Sequence, residues 1–339
     1  MLPLRPLRLS RLLVASGAGA LVLSGIAAAP ASAEPITDGG IQLGGSVNYD
    51  TAACTGAVAP APVSADLASG ATLTRSLSFD QTAVATGDET DTLRFKGSQK
   101  LVVSSTTSGS QLTSLTATSA VTSSVTAAKA DSACLPASGP AGVQNLSGVY
   151  AVIHRSTPGW LRIQAVSTGT GGQVLSADVQ DTVSYAIQAQ VGGFSVRDTS
   201  ADQWVYVPAG DHEVELTLGG VSATAYGIPS ASIKSSIKLT FSPAGVAKAA
   251  TTGTARSDVT FPSALTCSTG RAAVKLTSAI AGASKVALYV DNTRKTTISR
   301  PTARTVTLTG VPKNRAVTLR AVVVDGGRTL SATRSYRAC

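Results

Sequence analysis

Few side chains in this sequence are of a type and spacing that could make or break covalent bonds. It has two histidines, His154 and His212, and lacks the G-x-S-x-G nucleophile elbow, the H-E-x-x-H zinc motif and a glycine loop between strand and helix that would cradle phosphate. Ser235 and Lys238 spell S-x-x-K, but that chemistry needs the pair at the start of a helix. Here residues 233–241 alternate apolar and polar, which places Ser235 inward and Lys238 outward on a strand. Glycoside hydrolysis needs two carboxyl groups facing each other across a bond. The glutamates are Glu34, Glu89, Glu213 and Glu215, and the last two share one strand face as neighbours. Asp178, Asp181, Asp198 and Asp202 are placed by no motif. In the turn Gly87-Asp88-Glu89-Thr90-Asp91 the carboxylates Asp88, Glu89 and Asp91 could bind calcium, but EF-hand spacing is missing and a solvated turn is the stronger reading. We therefore expect no catalytic residues, no metal and no cofactor.

Two sets of residues are better suited to binding than to catalysis. Trp204 and Tyr206 alternate with Val205 and Val207. If the valines point inward, the rings form a platform on which a sugar can stack, with Asp202 and Gln203 beside it and Trp160 as a further ring; the plainer reading puts the rings in the core. The second set is electrostatic. From residue 253 onward the chain has fourteen basic and three acidic side chains, a net charge of +11, whereas residues 34–252 carry −5. Arg294, Lys295, Arg300, Arg304, Arg315 and Arg320 are candidates for holding a polyanion through salt-sensitive attraction. Outside a cell the expected polyanions are polysaccharides and wall polymers. Nucleic acid is disfavoured because this region has almost no aromatics for base stacking.

These residues are positioned by strands. From Leu175 to Val191 every second residue is apolar, interrupted only by Asp181. A pleated strand gathers such residues on one face, so this stretch is a long antiparallel strand or a strand pair bent near Asp181. Similar alternation at 73–84, 92–104, 115–127 and 233–241 gives an all-β class, namely tandem antiparallel β-sandwich modules, immunoglobulin-like or jelly-roll-like. Lys234 and Lys238 on the outer face of 233–241 are of the kind that guards an edge strand. The expected order is a signal peptide at 1–33, a module at 34–140, a second at 141–245, a linker at 246–258 and a third module at 259–339. The first two modules are alternatively one larger sandwich.

The first 33 residues combine Arg5, Arg8 and Arg11, an apolar run from Leu12 to Ala29 and an Ala31-Ser32-Ala33 cleavage signal. Export is expected, with no transmembrane span in the mature chain. Four cysteines in such a chain, without C-x-x-C, point to structural disulfides. Of the three connectivities, Cys54 with Cys134 and Cys267 with Cys339 tie the beginning of a module to its end.

The last 80 residues carry a resemblance. Ser284-Lys285-Val286-Ala287-Leu288-Tyr289-Val290-Asp291-Asn292, Thr305-Val306-Thr307-Leu308-Thr309-Gly310-Val311-Pro312, Val317-Thr318-Leu319-Arg320-Ala321 and Val324-Asp325 look like the bacterial immunoglobulin-like modules appended to secreted and surface proteins. Asn292 stands where glycine is usual, and the core tryptophan of antibody domains is missing. The resemblance implies spacer, adhesion or carbohydrate-binding roles. The expectation is a secreted, non-enzymatic cell-surface or matrix protein contacting polysaccharide or cell-wall polymers. The alternatives are a secreted carbohydrate-active enzyme or its accessory module, and an inhibitor presenting the loop from Arg197 to Gln203.

Overall fold

The computed structural model describes residues 35–109, 111–136, 141–184, 186–224 and 227–339. The expected signal peptide, Glu34, most of the Pro136–Pro140 join and Tyr185 lie outside the described residues. The fold is all-β. The alternating stretch that begins at Leu175 is a hairpin of two strands, Gly172–Asp181 and Ile187–Ser195. Asp181 makes the bend: its Oδ1 accepts hydrogen bonds from the amides of Val183 (3.0 Å) and Ser184 (2.7 Å) and from the Ser184 hydroxyl (2.9 Å). A short side chain that bonds the backbone ahead of it favours a turn over a continuing strand. The Ser184 amide and hydroxyl and the Val183 amide hold the Asp181 carboxyl below its ordinary pKa.

Thirteen strands form the first body: β1 (Ile36–Asn48), β2 (Cys54–Thr55), β3 (Val63–Asp66), β4 (Thr72–Ala85), β5 (Asp88–Ser108), β6 (Gln111–Ala127), β7 (Gly142–Arg155), β8 (Gly159–Thr170), β9 (Gly172–Asp181), β10 (Ile187–Ser195), β11 (Thr199–Val207), β12 (Gly210–Ala223) and β13 (Ser230–Pro243). They make two antiparallel sheets, ordered β10-β9-β12-β7-β1-β3 and β11-β8-β13-β6-β5-β4-β2. The boundary expected at 140 does not separate two domains. β1 pairs along its length with β7, and β6 with β13, so both halves contribute to both sheets. The reason lies in the core, where Ile41, Leu43 and Leu115 are covered by Val149, Leu216 and Ile237 from the second half. β13 is likewise no edge strand, because β8 and β6 flank it.

Two apolar clusters fill this sandwich, and the sequence of each strand shows where they meet. Along β5, Leu93 and Phe95 belong to a smaller cluster around the Cys54–Cys134 disulfide, whereas Leu101 and Val103 belong to the main core. Between them sits buried Gln99, whose Nε2 donates to Gly44 O (2.9 Å) while its Oε1 accepts from the Ser147 hydroxyl (3.2 Å). Ser119 on β6 and Ser147 on β7 occupy the same polar band. Gln99, Ser119 and Ser147 are tolerated there because they bond one another and the backbone.

The C-terminal body has β14 (Val259–Thr260), β15 (Ala272–Leu276), β16 (Lys285–Val290), β17 (Thr293–Ser299), β18 (Arg304–Leu308), β19 (Val317–Asp325) and β20 (Arg328–Tyr336), with a 3-10 turn at Ser278–Ile280. A three-stranded sheet, β14-β15-β18, and a four-stranded sheet, β17-β16-β19-β20, contribute to its own core, in which Phe261, Leu288, Leu319 and Tyr336 are buried. Short apolar-alternating runs at 272–278, 285–291, 295–300, 304–309, 316–324 and 329–337 predict six strands here, and the six main strands fall within two residues of them. The segment 246–258, expected as a linker, lies along the edge of β20 instead. Arg337 donates its amide to Val246 O, and the amides of Lys248, Thr252 and Ala255 donate to Ser335, Thr333 and Ser331. Backbone groups pair with an open strand edge without needing a side-chain pattern, which is why a featureless sequence here is ordered. The Cys267–Cys339 disulfide closes the body. No described helix is long and apolar enough to cross a membrane.

Candidate functional site

The aromatic residues singled out in the sequence come together at one end of the seven-stranded sheet. Register places Tyr206 opposite Trp160 and Trp204 opposite Arg162 on β11 and β8. Val207 is buried in the core and Val205 packs against it, so the rings face outward. That outer surface is covered by the last residues of the C-terminal body. The Trp160 indole donates to Ala338 O (2.9 Å) and the Tyr206 hydroxyl to Cys339 O (3.3 Å). The Arg337 guanidinium stacks 3.7 Å from the Trp204 ring centroid and 5.2 Å from that of Trp160. Trp160 and Tyr206 meet edge-on at 5.5 Å.

The rings are thus neither core residues nor a free platform; a sugar stacking on them must displace Arg337. Asp202 is bound by Arg162 through two short contacts, 2.8 and 2.5 Å. Arg162, with Arg337 behind it, holds that carboxyl below its ordinary pKa. Gln203 is exposed but, in register with core residue Ile163, lies on the opposite face of β11 from Asp202 and the rings. Residues 199–203 of the expected inhibitory loop belong to β11.

The six polyanion candidates do not form one patch. Arg294 and Arg320 flank Tyr289 in register on the outer face of the four-stranded sheet, and the Arg320 guanidinium lies 4.5 Å from the Tyr289 centroid. Arg315 is engaged by Asp291 at 2.7 Å. Arg304 opens β18 on the other sheet, and Arg300 sits at φ +47° in the turn before it. Arg294, Lys295, Arg300 and Arg304 are exposed and have no carboxylate partner among the described residues.

Register also sorts the charges of the sandwich. The outer face of the six-stranded sheet bears Asp38, Asp66, Asp178, Asp211, Glu213 and Glu215, and among its described residues no lysine or arginine. Glu215 and Asp178 lie directly opposite each other on β12 and β9. Burial raises the pKa of both, and Glu213 and Asp178 push Glu215 further up. The outer face of the seven-stranded sheet bears Arg94, Lys96, Lys100, Arg162, Lys234 and Lys238; its carboxylates Asp80 and Asp202 are each salt-bridged. Net charge alone hid this division. Strand alternation showed that Lys234 and Lys238 point outward, but only the pairing of β6 with β13 brings Lys100 beside them.

Most of the remaining candidates are engaged by neighbouring groups. Asp88 is engaged by Lys129 and by the Thr90 hydroxyl and amide, and Asp91 accepts the Ala133 amide (2.8 Å). Glu89 is exposed. Ser235 is buried against Ser167 (2.8 Å), on the opposite face of β13 from Lys238. His154 pairs with Asp211 at 2.7 Å on the acidic face. His212 is buried with its Nε2 against Pro208 O (3.0 Å), and burial holds its pKa below the ordinary value.

The acidic pair carries a pH prediction. A carboxyl whose folded pKa is raised stabilises the fold at acid pH and loses that contribution as pH rises through the folded value. Glu215→Gln removes the repulsion from Asp178 and Glu213. We expect a midpoint about 2 °C higher at pH 7, the scale of one like-charge cross-strand pair, with the gain vanishing below about pH 4. Thermal melts at the two pH values check it; an equal gain at both would assign the effect to something other than charge.

No protein-family model matches the sequence, and no curated protein is similar to it.

Proposed function

We infer that the chain is an exported, non-catalytic protein of the cell surface or extracellular matrix, held by salt-sensitive contacts to polyanionic polysaccharide or wall polymers. The C-terminal body is then an immunoglobulin-like contact module. The observation that carries this reading is the charge of +11 on residues 253–339, with Arg294, Lys295, Arg300 and Arg304 exposed and without carboxylate partners. Such a surface attracts polymeric anions over a distance set by ionic strength. Two closed disulfides suit an oxidising compartment.

The test incubates the full chain with isolated cell walls and insoluble acidic polysaccharide at about 0.05 M and about 0.5 M salt, a range over which the screening length falls severalfold. Released sugar is measured in the same tubes. Retention at low salt, elution at high salt and no released sugar are expected. Salt-independent retention would move the contact away from the arginines, and released sugar would make the protein a hydrolase.

A further inference from the structure

The sandwich itself presents a second surface for an anionic chain, on the outer face of the seven-stranded sheet. Lys100 on β5 and Lys234 on β13 are both in register with Ala120 on β6, so the two ammonium groups stand on either side of one small residue. Two strand spacings put their backbones about 10 Å apart. Ala120 lies in a shallow depression of about 290 Å³, with Ser98, Thr122 and Ser232 in the adjoining row. The Ser98 and Thr122 hydroxyls already bond each other at 2.8 Å. Neither lysine has a carboxylate partner among the described residues, in contrast to Lys96 and Arg94, which share Asp80.

Lys238 continues the basic surface two rows further along β13, about 14 Å from Lys234 at strand rise. Beyond it the same face reaches Arg162 and the Arg337 junction. The opposite face of the sandwich has six carboxylates and no lysine or arginine among its described residues, so a polyanion is repelled there and attracted here.

The geometry points to this face as a binding site for a linear acidic polysaccharide, with one anionic substituent seated over Ala120 between Lys100 and Lys234 and sugar hydroxyls bonding the flanking serines and threonines. Flat arrays of hydroxyls suit a chain that is itself hydroxyl-rich, and the lysines select for its charge. The inference deepens the proposed function by naming a substrate class and a site apart from the C-terminal arginines, and it rests on that reading.

Binding of the full chain to soluble polygalacturonate, dextran sulfate and neutral dextran is measured by titration at low salt. The carboxylate and sulfate polymers separate the two sources of anionic substituent. The double variant Lys100→Glu/Lys234→Glu should bind at least one acidic polymer about tenfold more weakly, the size of one lost factor of 1.4 kcal/mol. Ala120→Ile, which fills the depression with a residue suited to strands, should weaken it severalfold without changing charge. Neutral dextran should not bind.

If both variants bind as the unaltered chain does while Arg294→Glu/Arg304→Glu abolishes binding, the sandwich site is wrong and the polyanion reading stands. If the unaltered chain binds neither acidic polymer, both fail.

Discussion

A chain carrying serine at both Cys54 and Cys134 should unfold its sandwich with about 2 to 5 kcal/mol less stability, a midpoint lower by roughly 10 °C in a body of this size. The bridge spans 80 residues, from the edge strand β2 to the segment after β6, so its loss returns a long loop to the unfolded chain. Both cysteines are buried in the smaller apolar cluster with Leu93 and Phe95. Two serine hydroxyls placed there lose water without assured partners, which adds to the cost. The matching variant at Cys267 and Cys339 opens a loop of 72 residues in the other body and should make that body unfold first, with the sandwich left as the later transition. Urea melts followed by circular dichroism distinguish the two. An unchanged midpoint for the Cys54/Cys134 variant would mean that the cluster, not the bridge, fixes that end of the sandwich.

Where side-chain alternation was strong, the elements were legible from residues alone. Residues 233–241 and the six main strands of the C-terminal body lie where their period of two places them, and the cysteines pair as expected, although Cys134 falls in the middle of the sandwich and not at a module end. Pairing was not legible. Alternation shows which face of a strand is buried, but not which distant strand covers it, and so β1 with β7 and β6 with β13 turned two expected modules into one sandwich. The segment 246–258 was unreadable for a different reason, because its order comes from backbone bonds to β20. At the candidate site alternation set Trp204 and Tyr206 on the face opposite Val205 and Val207 but left open which pair points outward, and the expectation that the rings enter the core is overturned by the burial of Val207. What covers them depends on Arg337, 133 residues beyond Trp204, and no local pattern announces that contact.

That contact makes the second large prediction. Arg337→Ala should uncouple the C-terminal body from the sandwich, with two separate unfolding transitions where a single coupled one is expected of the unaltered chain, and faster proteolysis near residues 244–250. The guanidinium lies against the Trp204 and Trp160 rings. A partly exposed cation over an aromatic face contributes about 1 kcal/mol. The indole of Trp160 and the hydroxyl of Tyr206 bond carbonyls of the same tail, so loosening Arg337 weakens them together. Gly245 brings the chain into this region at φ +72°, and a Cβ there would stand 2.8 Å from Cys267 Sγ, which leaves the connection little room to compensate.

Both tryptophans of the chain are at the junction. Their emission therefore reports docking while circular dichroism reports the sheets. Arg337→Ala should shift emission to the red with the sheet signal intact. Arg337→Lys should fall between, since an ammonium keeps the charge but not the planar stack. If Arg337→Ala leaves the emission and a single transition unchanged, the bodies are held by other contacts and the aromatic cluster is available for another partner.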